Sequence, residues 1–320
     1  LTRRAMGSPR RWCGIGAMMR SHSEMTAIRD RVAELREARF SGGICCPRCG
    51  ATSVQRWGGF SGRQRYKCTG CRRTFSDFTG TPVMYSKKIL HWVPYSRCVQ
   101  EGLTVRRSAA RSKIHPDTSF RWRHALLKEL CRQERERLAG WMELGTLWFA
   151  YSEKGRVQRS RAPRRRGLRR ARSSQQLTER VRVVVAADRL GRIATARCKE
   201  RLPSARELEA VLEGRIARRP TIVAKEGRFG PAGVFAKRLK GSYQDARPGA
   251  VRGRRQPEIL VHVRTMEAYA VRLLDWMAHF RGVATRYLSH YLAWHVSVDR
   301  AWRLRAAARV LRWPLGDAFG

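Results

Sequence analysis

Four cysteines in two Cys-x-x-Cys pairs are the residues of this sequence best suited to chemistry. Cys46 and Cys49 form the first pair, Cys68 and Cys71 form the second, and eighteen residues lie between the pairs. A zinc ion prefers four ligands in a tetrahedron, and each Cys-x-x-Cys turn supplies two thiolates. The spacing therefore predicts a structural Zn²⁺ site. The alternative is four unrelated cysteines that are buried or disulfide-bonded.

Short strands and tight turns must position these thiols. The segments VQRWGGF and RQRYKC lie between the pairs and predict two strands around a Gly turn, which together with the thiols form a zinc ribbon. A helix over residues 26–38 precedes it. Because so small a module buries little apolar surface, metal affinity is expected to supply much of its folding free energy. Cys45 lacks the two-residue spacing to Cys49 and is excluded as a ligand.

The composition indicates a nucleic-acid partner. Lys and Arg number 68 against 25 Asp and Glu, a formal net charge of +43, and the DNA phosphate backbone is the usual partner for such a charge. No apolar run of 18 residues occurs, so a membrane partner is not expected. The five cysteines outside the pairs are scattered, which favours a reducing compartment and a cytoplasmic, nucleoid-associated location.

Residues 81–140 predict a helix-turn-helix region. Thr104 is a good N-cap for the short helix VRRSAARS, KIHPD forms a turn, and TSFRWRHALLKELC begins a long second helix. A second helix of this kind enters the major groove of DNA, so its polar residues are candidate DNA contacts. These are Ser119, Arg121, Arg123 and His124. The alternative is an ordinary helical hairpin whose arginines form a solvated face.

Several segments, in order, resemble one group of zinc-ribbon transposases of bacterial insertion sequences, the ISXO-like group. They are CPRCG, RYKCTGCRRTFSDFTGTP, EGLTVRRSAARSKIHPDTSFRWRH and HFRGVATRYLSHYLAW, and the resemblance spans about residues 28–300. These enzymes are of the DDE type with an RNase H-like catalytic core. The resemblance implies that the ribbon and helix-turn-helix hold double-stranded terminal inverted repeats, that a homodimer bridges two DNA ends, and that the core cuts and joins strands.

The C-terminal half has the element order that this resemblance implies. Three strand-like runs, LWFAY, VRVVVAAD and RIATARC, are followed by a helix over 204–217, a strand over 221–226 and a last helix over about 262–280. We therefore expect an α+β multidomain protein with a zinc ribbon (residues 25–80), a helix-turn-helix (81–140) and an RNase H-like α/β core (141–300). Residues 1–24 are expected to be disordered or upstream translation, and 301–320 a tail.

A basic loop is expected to interrupt this core. Residues 156–172 contain nine Arg in seventeen positions, which by themselves indicate a disordered, phosphate-attracting segment. The family has a similar basic insertion between its first two strands. The resemblance therefore implies contacts from Arg164, Arg165 and Arg166 to the DNA backbone without base specificity.

DDE chemistry needs three carboxylates that hold two Mg²⁺ or Mn²⁺ ions for in-line displacement at phosphorus. The family has its first acid in an Asp-Glu-(Thr/Ser) motif, where this chain has Gly145 and Thr146. Glu226 stands in the second position and Glu267 in the third. Glu143, two residues before Gly145 on the same strand face, is an alternative first ligand.

The sequence therefore favours a transposase-family DNA-binding protein whose strand cleavage is lost or weak. Two alternatives are an active DDE transposase that uses Glu226 and Glu267, and a regulator with ribbon and helix-turn-helix modules but no chemistry. Asp188 ends a strand-like run and is interpreted as a turn residue.

Overall fold

The protein is described by a computed structural model. It describes residues 26, 30, 32–34, 36–37, 39–60, 63–84, 86–132, 137–156, 180–199, 203–225, 231–246 and 262–303. These residues form a mixed α/β structure with two sheets. They divide into two compact units, the first ending at Thr79 and the second beginning at Gly80. The predictions for residues 1–24, for 157–172 and for 304–320 lie outside the described residues.

The first unit is a small antiparallel sheet. Its strands are β1 (Val54–Phe60), β2 (Arg63–Cys68) and β3 (Thr74–Ser76), in the order β1-β2-β3. The two strands predicted between the cysteine pairs are confirmed. The described residues among 26–39 are helical. Tyr66 stacks on Phe75 at 5.2 Å between ring centroids, and Phe40 completes the apolar cluster that surrounds two of the four thiols.

Three helices open the second unit. They are α1 (Trp92–Gln100), α2 (Val105–Arg111) and α3 (Pro116–Arg132). Thr104 is the N-cap of α2, as predicted, and its side chain accepts a hydrogen bond from the backbone N–H of Arg107 at 3.5 Å. Pro94 lies in the first turn of α1, where its missing N–H would have no intrahelical partner. It therefore does not interrupt the helix.

A five-stranded sheet follows. Its strands are β4 (Trp141–Ala150), β5 (Arg180–Asp188), β6 (Ile193–Arg197), β7 (Thr221–Ala224) and β8 (Ser242–Asp245). The order is β6-β5-β4-β7-β8. Strands β4, β5 and β6 pair antiparallel, whereas β7 pairs parallel with both β4 and β8. The helices of this region are α4 (Ala205–Leu212), α5 (Pro231–Arg238), α6 (Arg264–Ala278) and α7 (Leu288–Arg303).

Helices cover both faces of this sheet, and alternation along β4 assigns its side chains to them. Met142 and Leu144 belong to the apolar cluster formed with α4 and α5. Glu143 and Gly145 face the opposite side, where α6 packs on β4 and β5. Because β4 and β7 run parallel, with Glu143 opposite Val223, the chain leaving β7 passes beside Gly145.

None of the helices in the described part of the chain combines the length and the apolar character needed to cross a lipid bilayer.

Candidate functional site

The four predicted zinc ligands come together in the first unit. The sulfur atoms of Cys46, Cys49, Cys68 and Cys71 all lie within 4.8 Å of one another. The Sγ atoms of Cys46 and Cys71 are 3.7 Å apart, and those of Cys49 and Cys68 are 3.6 Å apart. A tetrahedron with Zn–S bonds of about 2.3 Å has sulfur–sulfur edges of about 3.8 Å. These two separations match a zinc tetrahedron, so the four thiols could hold one zinc ion.

The same distances show that the four cysteines are not joined by disulfide bonds in this structure. A disulfide needs sulfur atoms about 2.05 Å apart, and these four cysteines are free. Cys45 is also free but does not belong to the cluster. Among the described residues, the group that could hold a metal ion consists of the four predicted cysteines and does not include Cys45.

Backbone turns fix the thiols. In the first turn the N–H of Cys46 donates to the carbonyl of Ala51 at 2.8 Å, and the N–H of Gly50 donates to the carbonyl of Cys46 at 2.8 Å. Gly50 has a φ of +74°, a conformation that glycine adopts without strain. In the second turn the N–H of Cys71 donates to Cys68 Sγ at 3.4 Å. Such N–H groups stabilise thiolate charge.

The pKa values of two of these thiols, Cys46 and Cys49, are shifted in opposite directions. Burial raises the pKa of Cys46, but backbone N–H groups and the neighbouring thiols overcome this and lower it to about 7. The backbone N–H of Ala51 lowers the pKa of Cys49, yet the neighbouring thiols, above all Cys68, raise it to about 11. Four close thiols cannot all ionise without a cation between them, and a divalent metal supplies that charge.

A buried carboxylate, which sequence reasoning missed, ties the first unit together. Arg36 donates two hydrogen bonds to Asp77, at 2.9 and 3.0 Å, and Arg39 donates to its backbone carbonyl at 2.6 Å. Tyr66 OH donates to the same carboxylate at 3.3 Å. The two arginines precede Asp77 by about forty positions, so no local pattern could have paired them.

The residues predicted to contact DNA on α3 divide into buried and accessible ones. Ser119 and Arg123 are completely buried. Arg123 Nη2 donates to the Leu103 carbonyl at 2.6 Å and to Ser108 Oγ at 3.0 Å, and its guanidinium lies over the Trp294 ring. In this structure these two side chains lie in the interior, and their predicted contact with DNA stays a prediction.

Arg121 and His124 lie elsewhere on the same helix. Arg121 is exposed. His124 is half-buried, and its ring stacks on Tyr287 with 3.9 Å between centroids. Burial, followed by the charges of His290 and Arg123, lowers the pKa of His124 to about 4. Arg121 is therefore the predicted α3 contact that stays accessible, whereas His124 is a neutral packing residue near pH 7.

Gly145, where the resemblance implies the first acid, lies against the end of the Met266 side chain, which would have to move to admit a larger residue. A Cβ atom there would collide with Met266 Cε and would lie 2.9 Å from Met266 Sδ. Met266 belongs to the first turn of α6 and is buried. The space beside β4 that an acid would occupy is filled by a thioether, a weak acceptor that suits soft metals rather than Mg²⁺.

Glu143, the alternative first ligand, is occupied by contacts within the protein. Its carboxylate is completely buried, and Oε2 accepts a hydrogen bond from the N–H of Met266 at 2.8 Å. Arg189 Nη1 lies 3.0 Å and His262 Nδ1 lies 3.3 Å from Oε1. This carboxylate anchors α6 to the sheet, and the guanidinium of Arg189 offsets its charge.

Glu267, the predicted third acid, lies on α6 one residue after Met266 and is 46% exposed in its side chain. It forms an ion pair with Lys225, the residue after β7. An ammonium group thus lies beside Glu267, where the resemblance implies a bound metal cation. Glu226, the predicted second acid, lies outside the described residues, as do Arg164, Arg165 and Arg166.

Asp188, interpreted from the sequence as a turn residue, is the last residue of β5, and its side chain holds the turn that follows. Its buried carboxylate accepts hydrogen bonds from the N–H groups of Leu190 at 3.0 Å and Arg192 at 2.9 Å. Its Oδ2 also accepts a hydrogen bond from the N–H of Ala139 at 3.4 Å, so the carboxylate links this hairpin to the residues before β4.

Comparison with known proteins links the chain to a mobile element. No protein-family model matches the sequence. The chain is 31% identical over 173 residues to an uncharacterized protein in the transposable element ISH50 of Halobacterium salinarum. The matched region covers 52% of this chain and 58% of that protein, so the chain spans a little over half of the relative's length.

Proposed function

We propose that this chain is a DNA-binding protein of an insertion sequence that descends from zinc-ribbon DDE transposases and has lost strand cleavage. The similarity to a protein of ISH50 supports the link to a transposable element. The observation that carries the loss of cleavage is the filled first position, where Gly145 meets Met266 instead of offering a carboxylate.

The proposed organisation follows the sequence expectation. A zinc ribbon over residues 25–80 and a helix-turn-helix over 81–140 bind double-stranded terminal inverted repeats, and residues 141–300 form an RNase H-like core. The sheet order β6-β5-β4-β7-β8, with three antiparallel strands followed by two parallel ones, supports that core assignment. A homodimer that bridges two DNA ends belongs to the same proposal.

Zinc is the proposed structural metal. Cys46, Cys49, Cys68 and Cys71 would hold it, and the 3.6 and 3.7 Å sulfur separations fit a single ion. The bound metal supplies folding free energy to the ribbon. The residues of the core do not fit Mg²⁺ or Mn²⁺ equally well, because the first carboxylate is absent and Glu267 is paired with Lys225.

The proposed DNA-binding surface consists of exposed cationic side chains. On α3 the proposed DNA contact is Arg121. In the basic loop the proposed contacts are Arg164, Arg165 and Arg166. A net charge of +43 favours backbone contacts, which give affinity without reading sequence.

The test is a Mn²⁺-dependent nicking assay on a labelled duplex that carries the terminal repeat. A restored variant combines four changes: Gly145→Asp, Met266→Ala to make room, Lys225→Ser to remove the competing cation, and Glu226→Asp. The control is the same variant with Gly145→Asn, which has nearly the same shape but no charge. We expect the duplex to be bound by all three proteins and nicked only by the restored one.

Two other outcomes would replace this proposal. If the natural chain nicks the duplex and Glu267→Gln abolishes the activity, the protein is an active transposase that uses Glu226 and Glu267. If the restored variant folds and binds but never nicks, the non-catalytic regulator is the better description.

A further inference from the structure

A small cavity opens at one edge of the five-stranded sheet, away from Gly145. Strands β4 and β6 both pair antiparallel with β5, so they run in the same direction and end at the same edge. The residues after Ala150, the last residue of β6 and the turn before α7 enclose a cavity of about 90 Å³. We call this cavity the basic pocket.

Four cations line the basic pocket: Lys154, Arg156, Arg197 and Arg286. A single carboxylate, that of Glu153, lies among them. It is buried and accepts hydrogen bonds from Tyr151 OH and from Arg156 Nη1, each at 3.1 Å. One of the four cations is therefore neutralised from inside the protein, and three are left to attract an anion.

These three cations are not satisfied by other charges. Arg286 Nη2 donates to the neutral carbonyl of Gly155 at 3.2 Å. The side chains of Lys154 and Arg197 are exposed and make no hydrogen bond or ion pair with the described residues. Their donors remain available to a ligand.

The floor of the basic pocket is fixed. The N–H of Thr285 donates to the carbonyl of Ser152 at 2.8 Å, and the N–H of Ser152 donates to Thr285 Oγ1 at 2.8 Å. Gly155 has a φ of +77°, and a Cβ atom there would lie 3.1 Å from Arg286 Nη2. This reciprocal pair and the close approach hold Arg286 beside the turn, so little ordering is needed when a ligand binds.

The chemistry of the cavity selects an oxyanion. Several cationic donors converge, and 90 Å³ exceeds by several times the roughly 10–15 Å³ that one water molecule needs. Arginine and lysine donors suit the oxygen atoms of a phosphate group, and bonds to such a charged group are stronger than neutral ones. We propose that the basic pocket binds a phosphate group and, on the basis of the function proposed above, that this is a phosphate of the DNA backbone.

The position of the basic pocket is consistent with binding a phosphate of the DNA backbone. Tyr151, the residue after the end of β4, follows Gly145 by six positions, which corresponds to about 20 Å of extended chain. A duplex that follows β4 would place a phosphate in the basic pocket about six base pairs from the degraded catalytic position. In the sequence, Arg156 is also the first residue of the basic loop.

The first arm of the test needs no DNA. The full chain is titrated with inorganic phosphate by calorimetry, at an ionic strength held constant with chloride. The pocket variant is Lys154→Gln with Arg197→Gln. The control is Arg206→Gln with Arg218→Gln, which removes the same charge from exposed positions outside the pocket. Because a hydrogen bond to a charged group contributes more than about 1.4 kcal/mol, we expect the phosphate dissociation constant to rise at least about tenfold in the pocket variant only. Equal affinities in the two variants would overturn the pocket.

The second arm measures the salt dependence of binding to a DNA duplex. Loss of one phosphate contact reduces the slope of log affinity against log salt by about 0.9, and we expect this in the pocket variant and not in the control. If the two variants have equal slopes but the pocket variant binds inorganic phosphate more weakly, the basic pocket binds free phosphate, and the proposal that it binds a DNA phosphate is wrong. If the natural chain binds no DNA, the proposed function fails while the phosphate titration still decides the pocket.

Discussion

At the residue scale, Arg123 shows how a charge is accommodated inside this protein. The side chain is completely buried, and Nη2 donates to the Leu103 carbonyl and to Ser108 Oγ, while the Trp294 ring covers the guanidinium. These neutral groups offset part of the lost hydration, since Nε and Nη1 are buried without a hydrogen-bond partner among the described residues. The residue therefore connects the segment before α2, the helix α2 itself and α7.

We predict that Arg123→Ala lowers the free energy of unfolding by about 3–5 kcal/mol, because it leaves a cavity and two unpaired acceptors. Arg121→Ala, on the exposed side of the same helix, should change it by less than about 0.5 kcal/mol. Urea unfolding of the two variants measures both effects. A weaker DNA affinity for Arg123→Ala at unchanged stability would mean that Arg123 contacts DNA after all.

A second residue-scale prediction concerns pH. The pKa of His124 is lowered to about 4, from 6.5, mainly by burial. The unfolded chain then binds a proton that the folded chain excludes, so stability is complete above pH 6.5 and is lost as the pH falls toward 4. Allowing for the part of the ring that solvent reaches, we expect a loss of about 1–2 kcal/mol between pH 7.5 and 4.5.

His124→Phe keeps the stacking on Tyr287 but cannot be protonated, so it should remove this contribution from the pH dependence of urea unfolding. His115→Gln is the matched control, because the His115 side chain is 72% exposed. Identical pH profiles for His124→Phe and the natural chain would show that His124 does not resist protonation.

At the element scale, the ribbon depends on its four thiols more than on its apolar cluster. The cluster contains Phe40, Tyr66 and Phe75 besides two of the cysteines, which is a small core for a sheet of three strands. A structural zinc ion contributes about 10–16 kcal/mol of apparent binding free energy to such modules.

We therefore predict that Cys46→Ser loses the bound zinc and the hydrogen-exchange protection of β1, β2 and β3, while the five-stranded sheet of the second unit keeps its protection. Cys45→Ser, which changes the adjacent thiol outside the cluster, should keep one zinc per chain. Elemental analysis and hydrogen exchange followed by mass spectrometry measure both. Protection that survives in Cys46→Ser would reject a structural metal.

Elements with a strong local pattern could be predicted from the sequence. The continuous apolar run of β5 and the segments VQRWGGF and RQRYKC around their Gly turn predicted strand positions close to those observed. The strand β8, SYQD, has no such pattern, because it is short and polar and is held by pairing with β7. Likewise, Met266 fills the space beside Gly145 only because α6 packs on β4, across more than a hundred residues of sequence. Tertiary contacts of this kind decide the candidate site, and the local pattern does not contain them.

At the scale of the whole molecule, the excess of 68 Lys and Arg over 25 Asp and Glu dominates its behaviour. So large a charge repels itself, and bound phosphates reduce that repulsion. A protein that neutralises 6–10 phosphates loses about 10³–10⁵-fold in affinity between 50 and 200 mM salt, since released counterions must rebind.

We predict a loss of that size for this chain, measured by fluorescence anisotropy with a duplex of the terminal repeat. A shuffled duplex of the same length and composition is the control, and its affinity should fall with a similar slope, because phosphate contacts are shared. The ratio of the two affinities should stay above one at every salt concentration if accessible side chains such as Arg121 read base edges. An affinity that is insensitive to salt would contradict binding to the DNA backbone. A steep slope with equal affinities for both duplexes would support backbone binding but would contradict specific recognition of the terminal repeat.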